Sequence, residues 1–240
     1  MTQLQSTPAG DVESSPLIER DELIDRLETA VKASVNGVGS LLVLAGEAGA
    51  GKSALVRDVL TPGVGSVWGY CEPLATPRPL GPFLDIAREL WRADPSKCNA
   101  AVMRDELADW LGRDPVPLVI EDAHWIDDAS ADVLRFLGRR IAALGGLVVV
   151  TYRDELDADH PLRRVLGELA TAPGVSRLDV PPLSEVAVAR MVSATSINAG
   201  EAFRLTQGNP FLLVSVATWP FLTRLNPPSV AAHSALSRSS

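Results

Sequence analysis

The sequence predicts an α/β fold in which helices flank a five-stranded parallel sheet, with a small helical part towards the C-terminus. Two short, wholly apolar runs, at 118–120 and 147–150, are typical of parallel strands buried on both faces. Segments with a helical spacing of apolar residues separate the strand segments, and this alternation predicts a parallel sheet covered by helices. With 240 residues, 46% of them apolar, the chain is long enough to bury a sizeable core.

The predicted elements follow one another in a regular order. Leu23, Ile24 and Leu27 recur at helical spacing after Asp21, and the later helices are recognised in the same way. The strand segments are 41–45, 66–71, 117–120, 147–152 and 175–180. The helix segments are 21–36, 54–60, 83–91, 99–111, 130–143 and 161–171, followed by 184–194, 201–206 and 211–218.

Composition divides the chain into four parts. Residues 1–16 are rich in Thr, Gln, Ser, Pro and Gly and are expected to form a disordered lead-in. The α/β core is predicted over 17–181, and a partial, all-helical part over 182–220. Residues 221–240 carry little periodic apolar signal and are expected to be a disordered tail.

A glycine-rich segment with the pattern G-x-x-x-x-G-K-S joins the first strand to the next helix. Glycine allows close approach to a phosphate, and backbone N–H groups at a helix start attract an anion. Lys52 is predicted to reach the β- and γ-phosphates, and the Ser53 hydroxyl to bind Mg²⁺. The predicted nucleotide-binding residues of this loop are Gly46, Glu47, Ala48, Gly49, Ala50, Gly51, Lys52, Ser53 and Ala54. The alternative is a turn that binds nothing; the readable strand and helix on either side favour a P-loop NTPase.

Two carboxylates, Glu121 and Asp122, follow the apolar strand at 117–120. In an open α/β sheet, ligands bind outside the carboxyl ends of the strands, where these side chains would lie beside the phosphate loop. One carboxylate can hold Mg²⁺ and its water shell while the other orients or polarises the attacking water. The alternative is an acidic pair that merely ends a strand.

The strand at 147–152 delivers Arg153 to the same edge of the sheet. A guanidinium suits a phosphate geometrically, so Arg153 is a candidate contact to the γ-phosphate. The competing interpretation is a surface arginine paired with Asp154 or Glu155. His124 follows the acidic pair and is either a catalytic base or a loop histidine, and Trp125 is expected to pack under the loop.

Charge and composition argue against several classes of function. The formal net charge of −8 argues against a broad electrostatic interface with DNA or with an anionic membrane. The two cysteines, Cys71 and Cys98, show no metal-binding spacing and suit a reducing compartment. The sequence contains no apolar run of membrane-spanning length and no signal-peptide core near its start, so a cytoplasmic protein is expected.

Several segments together resemble the ATPase domain of large LuxR-type transcriptional regulators, which belong to the STAND branch of AAA+-like ATPases. They are the phosphate loop, Glu121 to Asp127, Thr151 to Asp154, Gly208 to Phe211 and the proline-rich segment 77–82, in a match that runs from about Leu17 to Leu213. The resemblance implies that the Arg153 strand lies between the phosphate-loop strand and the Glu121 strand.

The same resemblance implies a role for each matching residue. Glu121 stands at the position of the Mg²⁺-linked acid, Asp122 at that of the water-activating acid, and Arg153 at that of the sensor arginine. Ser53, Glu121 and Asp122 are then the Mg²⁺ residues, and Pro210, in the Gly-x-Pro motif of a helical lid, would pack against adenine. Family members have glycine where this chain has Glu19. The next residue, Arg20, is a candidate contact to the base or the sugar, but no neighbouring residue in the sequence requires that position.

These observations predict an ATP- or ADP-binding, Mg²⁺-dependent domain with slow hydrolysis that works as a nucleotide switch. A protein partner or self-association through this domain is expected, without direct DNA binding or membrane contact. Family members continue into a winged helix, a helical-repeat sensor and a helix-turn-helix, so the chain is expected to be a truncated or frameshifted form or an isolated ATPase core. The alternatives are a catalytically silent scaffold and a small-molecule phosphotransferase, the latter lacking a recognisable acceptor pocket.

Overall fold

The computed structural model describes residues 17–61, 65–91 and 98–218 of the chain. The predicted lead-in, 1–16, and the predicted tail, 221–240, lie outside these residues. The chain divides into two compact units, Met1–Pro182 and Leu183–Ser240. No helix in the described part of the chain combines the length and the apolar character needed to cross a bilayer.

The first unit alternates strands and helices. Its strands are β1 Ser40–Ala45, β2 Val67–Tyr70, β3 Leu118–Glu121, β4 Leu147–Tyr152 and β5 Val175–Asp179. Its helices are α1 Asp21–Val35, α2 Lys52–Leu60, α3 Gly81–Trp91, α4 Ala100–Leu111, α5 Asp128–Gly138, α6 Ile141–Leu144 and α7 Pro161–Leu169. A 3₁₀ turn, Ala123–Trp125, separates β3 from α5. The second unit contains α8 Glu185–Val192, α9 Ala199–Thr206 and α10 Pro210–Thr218.

The five strands form one parallel sheet in the order β2-β3-β4-β1-β5, which confirms the predicted fold class. Strand β4 lies between β1 and β3, as the resemblance implied. Ala45 pairs with Tyr152 across β1 and β4, so these two strands end level with each other. The loops after β1, β3 and β4 therefore leave the sheet at one edge.

Both faces of the central strands are buried. Val43 and Val150 pack under α3, α4, α5 and α7, whereas Leu44 and Val149 pack on the other face against α1 and α2. Every residue of β4 is buried, which explains why its sequence is an unbroken apolar run followed by Thr and Tyr. The packed core thus fixes where each central strand ends, and therefore where the residues that follow it lie at the edge of the sheet.

The sequence predicts one helix over 130–143, but the structure ends α5 at Gly138 and begins α6 at Ile141. A Cβ atom at Gly138 would lie 2.4 Å from a methyl carbon of Leu169, so glycine lets α7 pack closely here. The Arg140 N–H then donates to the Leu137 carbonyl at 2.9 Å, which tightens the turn and ends the regular helix. The helical spacing of apolar residues over 130–143 does not predict this break, because the break depends on close packing against α7, which is distant in the sequence.

Two other glycines, Gly69 and Gly167, have opposite surroundings, so they test how close packing at a glycine affects stability. A Cβ atom at Gly69 in β2 would lie 2.1 Å from the Pro82 carbonyl oxygen at the start of α3, whereas a Cβ at Gly167 in α7 would meet nothing within 4 Å. We expect Gly69→Ala to lower the free energy of unfolding by about 1–3 kcal/mol, because the backbone of α3 must move. Gly167→Ala should raise it by about 0.5–1 kcal/mol, because alanine is the better helix former. Urea denaturation of both variants measures the difference, and equal effects would contradict the packing described.

Candidate functional site

The glycine-rich loop leaves β1 at Gly46 and enters α2 at Lys52. Gly49 and Gly51 have φ angles of 78° and 92°, in the left-handed region that favours glycine. This backbone brings the chain directly into the first turn of α2, whose N–H groups and positive dipole end form an anion site. The glycines of the motif are therefore explained by the turn itself.

The Lys52 side chain is buried and curls back over its own loop. Its Nζ atom donates hydrogen bonds to the carbonyl oxygens of Gly46, at 2.7 Å, and Glu47, at 2.9 Å. Burial lowers the pKa of Lys52 from its usual range, and the nearby Asp122 carboxylate opposes that shift. Because an ammonium group has three donors, one remains for a phosphate oxygen.

Ser53 and Glu121 meet although they lie 68 residues apart in the sequence. The Ser53 hydroxyl donates to Oε1 of Glu121, and Nη2 of Arg57 lies 3.2 Å from Oε2 of the same carboxylate. The Glu121 side chain is 7% exposed, so its charge is balanced within the protein. A hydroxyl and a carboxylate are thus brought together beside the phosphate loop.

Arg57 was missed by the sequence analysis. It lies one helical turn beyond Ser53 on α2, and its guanidinium carbon is 4.7 Å from the centre of the Trp68 ring. The spacing of four residues, which places side chains on one helix face, is the only local signal that could have indicated it. Its pairing with Glu121 depends on the arrangement of the sheet.

Asp122 has a left-handed backbone, with φ 56° and ψ 42°, which is unusual for a residue other than glycine. Its N–H donates to the Thr151 hydroxyl oxygen at 3.1 Å, which ties the end of β3 to β4. The Asp122 side chain is 46% exposed. The two consecutive carboxylates therefore differ in environment: Glu121 is buried and paired, and Asp122 faces solvent.

Arg153 follows β4 and is exposed. Its guanidinium makes no hydrogen bond or ion pair with any residue of 17–61, 65–91 or 98–218. Asp154 pairs instead with Arg177, at 3.0 Å. The interpretation of Arg153 as the ion-pair partner of Asp154 is therefore wrong.

His124 is the buried member of the His124–Trp125 pair, whereas Trp125 is 39% exposed. The expectation that Trp125 packs under the loop is therefore wrong. Nδ1 of His124 lies 3.8 Å from Oδ1 of Asp122. Burial lowers the pKa of His124 to about 4, although the Asp122 carboxylate opposes that shift, so the ring is neutral near pH 7.

Arg20 is buried and joins three parts of the first unit. Its guanidinium donates to the carbonyl oxygens of Pro181, at 2.7 Å, of Glu19, at 3.2 Å, and of Ala50 in the phosphate loop, at 3.3 Å. Burial lowers the pKa of Arg20 from its usual range, and the nearby Glu19 carboxylate opposes that shift. The sequence left the place of Arg20 open; in the structure it ties the segment before α1 to the phosphate loop.

Pro210 is the first residue of α10, in the second unit. The Asn209 side chain accepts a hydrogen bond from the Phe211 N–H at 3.1 Å, and a Cβ atom at Gly208 would lie 2.0 Å from the Leu183 carbonyl oxygen. The Gly-Asn-Pro sequence thus has a local role in starting this helix. The contact between Pro210 and adenine stays a prediction.

The residues at the sheet edge fit Mg²⁺ bound together with a nucleotide. Among the described residues, no group of three or more His, Cys, Asp or Glu side chains could hold a metal ion without other ligands. Mg²⁺ needs no such cage, because it typically takes one or two protein oxygens, phosphate oxygens and waters. Ser53 and Glu121 present a donor set of this kind.

The strained residue before Arg20 provides a test of this region. Glu19 has φ 59°, and it occupies the position where the resembled family has glycine. We expect Glu19→Gly to raise the free energy of unfolding by about 1 kcal/mol, because it removes the left-handed penalty of a side chain. Glu22→Gly, inside α1, should lower it by a similar amount, about 1 kcal/mol. Thermal and urea unfolding compare the two; destabilisation by both variants would contradict a strained Glu19.

Comparisons with known proteins agree with this fold. The protein family described as "AAA ATPase domain" matches residues 16–150, more than half of the chain. No curated protein matches the sequence.

Similar solved structures include a STAND protein with a tetratricopeptide-repeat sensor from Pyrococcus horikoshii, at 19% identity and a TM-score of 0.56. That match covers 85% of this chain and 31% of the other. The Aeropyrum pernix ORC1 protein, solved in complex with DNA, is similar at 17% identity and a TM-score of 0.58, over 85% of this chain and 60% of that one. The Aeropyrum pernix ORC2 protein, solved as ADPNP–ADP complexes, is 11% identical with a TM-score of 0.58, over 86% of this chain and 64% of the other. At these identities the similarity is one of fold, and this chain spans less than two thirds of each of these proteins.

Proposed function

Because this chain belongs to the AAA ATPase domain family, we propose that it binds ATP with Mg²⁺, hydrolyses it slowly and acts as a nucleotide-dependent switch. The observation that carries the proposal is the meeting of Ser53 and Glu121 beside the phosphate loop. A bare phosphate-binding turn needs neither the buried carboxylate nor its contact with the hydroxyl. A nucleotide-bound Mg²⁺ is typically held by one or two protein oxygens of this kind.

Each loop residue has a distinct part in binding. The backbone N–H groups from Gly46 to Ala54 surround the phosphates, and the third donor of Lys52 reaches the β- and γ-phosphates. Ser53 and Glu121 would hold Mg²⁺, which would supply positive charge beside the phosphates. Asp122 would contribute to the water shell of the metal.

Hydrolysis requires two further side chains, one for the attacking water and one for the γ-phosphate. The half-exposed Asp122 carboxylate orients and polarises the attacking water, while Arg153 contacts the γ-phosphate with its unpaired guanidinium. Loss of the γ-phosphate removes the partner of Arg153. That change in contacts is the signal of the switch.

We assign the domain to the large LuxR-type regulators of the STAND branch on the combined motifs, and the STAND relative of similar fold supports this choice. Pro210 then contacts adenine from a helical lid, and the signal passes to a protein partner or a second copy. The ORC1 relative was solved with DNA. The net charge of −8 argues against the same role here.

Nucleotide binding is tested at Lys52. We expect Lys52→Ala to weaken binding of a fluorescent ATP analogue with Mg²⁺ by about 10- to 100-fold, the usual cost of losing a hydrogen bond from a charged group. Lys32→Ala is the matched control, because that side chain is 73% exposed and pairs with Glu28 at 2.9 Å. Fluorescence titration gives both dissociation constants. Equal affinity of the wild type and Lys52→Ala would exclude the proposed site.

Hydrolysis is tested by steady-state phosphate release. We expect Glu121→Ala and Asp122→Ala each to abolish turnover, because one holds the metal and the other the water. Glu28→Ala, at an exposed position of α1, serves as the control and should keep the wild-type rate. If the wild type binds ATP but releases no phosphate, the catalytically silent scaffold replaces the ATPase.

A further inference from the structure

His124 is buried, yet neither of its ring nitrogens has a hydrogen-bond partner in the described part of the chain. A neutral imidazole offers one N–H donor and one acceptor nitrogen. Buried polar atoms are almost always paired, because an unpaired one loses its hydrogen bonds to water without replacing them. The orphaned ring therefore indicates that a bound group supplies the missing partner.

The ring lies at the part of the site where a γ-phosphate is expected. Its Nδ1 atom is 3.8 Å from Oδ1 of Asp122. The positive charges of Arg153 and Lys52 also act on the ring, as does the negative charge of Asp122. These three residues are the ones proposed to contact the γ-phosphate or its attacking water.

The backbone that carries His124 is held in place by the start of α7. Nδ1 of His160 accepts a hydrogen bond from the Leu162 N–H at 3.1 Å, which leaves Nε2 of His160 as the donor. Nε2 lies 3.0 Å from the His124 carbonyl oxygen and donates to it. The start of α7 thus anchors the 3₁₀ turn that carries His124.

We propose that His124 contacts the nucleotide directly and discriminates triphosphate from diphosphate, by donating a hydrogen bond from its ring to a γ-phosphate oxygen. This inference rests on the proposed nucleotide site and deepens it. A diphosphate leaves the ring unpaired, so the bond favours only the triphosphate state.

The competing explanation is a structural histidine that holds at most a water molecule. Replacing a buried, unpaired polar group by an apolar one of similar shape is neutral or stabilising. His124→Leu therefore separates the two explanations, because both predict a folded protein and only one predicts a change in nucleotide preference.

The experiment measures affinities of the whole chain for Mg²⁺ with AMP-PNP, a non-hydrolysable triphosphate, and for Mg²⁺ with ADP, by displacement of a fluorescent ADP. We expect His124→Leu to weaken AMP-PNP binding by about tenfold or more and to leave ADP binding unchanged. His124→Gln, which keeps an N–H donor, should retain part of the preference. Trp125→Leu, at the exposed neighbouring position, should leave both affinities at the wild-type values.

An unchanged ratio of AMP-PNP to ADP affinity in His124→Leu overturns the inference. The proposed function stands in that case if Lys52→Ala weakens both nucleotides, and it fails with the inference if Lys52→Ala weakens neither. Should His124→Leu not fold, long-range ¹H–¹⁵N spectra of the wild type, which has three histidines, decide the matter. A His124 ring signal that moves with AMP-PNP but not with ADP supports the contact, and a signal that moves equally with both overturns it.

Discussion

The contact between the Ser53 hydroxyl and the Glu121 carboxylate is the constraint on which the site depends. It requires β1, β4 and β3 to lie side by side, because the loop that carries Ser53 follows β1 and Glu121 ends β3. It also requires β1 and β3 to end at nearly the same height, which the buried residues of the central β4 fix from both faces. A shift by one residue in either strand would exchange the faces of the sheet and remove the carboxylate from the loop.

The loop is also held in shape before any ligand arrives. Lys52 donates hydrogen bonds to the carbonyl oxygens of its own loop. Arg20 connects the same loop to the segment before α1 and to Pro181. Such preorganisation lowers the ordering cost of binding. The left-handed backbone of Glu19 and Asp122 shows where the fold tolerates strain, at two positions that border the site.

The sequence predicts those features that depend on neighbouring residues in the chain. The apolar run of β4 indicates a strand buried on both faces, and the glycines around Lys52 indicate a turn into a helix. Pairings between distant residues escape this reasoning, as the bond from Arg20 to Pro181, 161 residues away, illustrates. The sequence also does not predict that His124 is buried and Trp125 exposed, because the left-handed turn at Asp122 has no local sequence signature.

The described site contains two kinds of polar group. Lys52, Ser53 and Glu121 already have hydrogen-bond partners, and their proposed contacts include the β-phosphate and Mg²⁺, which ATP and ADP share. The side chains of Arg153 and His124 have no hydrogen-bond partner within the described residues, and both are the ones proposed to contact the γ-phosphate. A switch responds only to the difference in binding free energy between two states, and groups that bind both nucleotides equally contribute nothing to it. The unpaired groups are therefore the ones that can convert the presence of a γ-phosphate into a change of state.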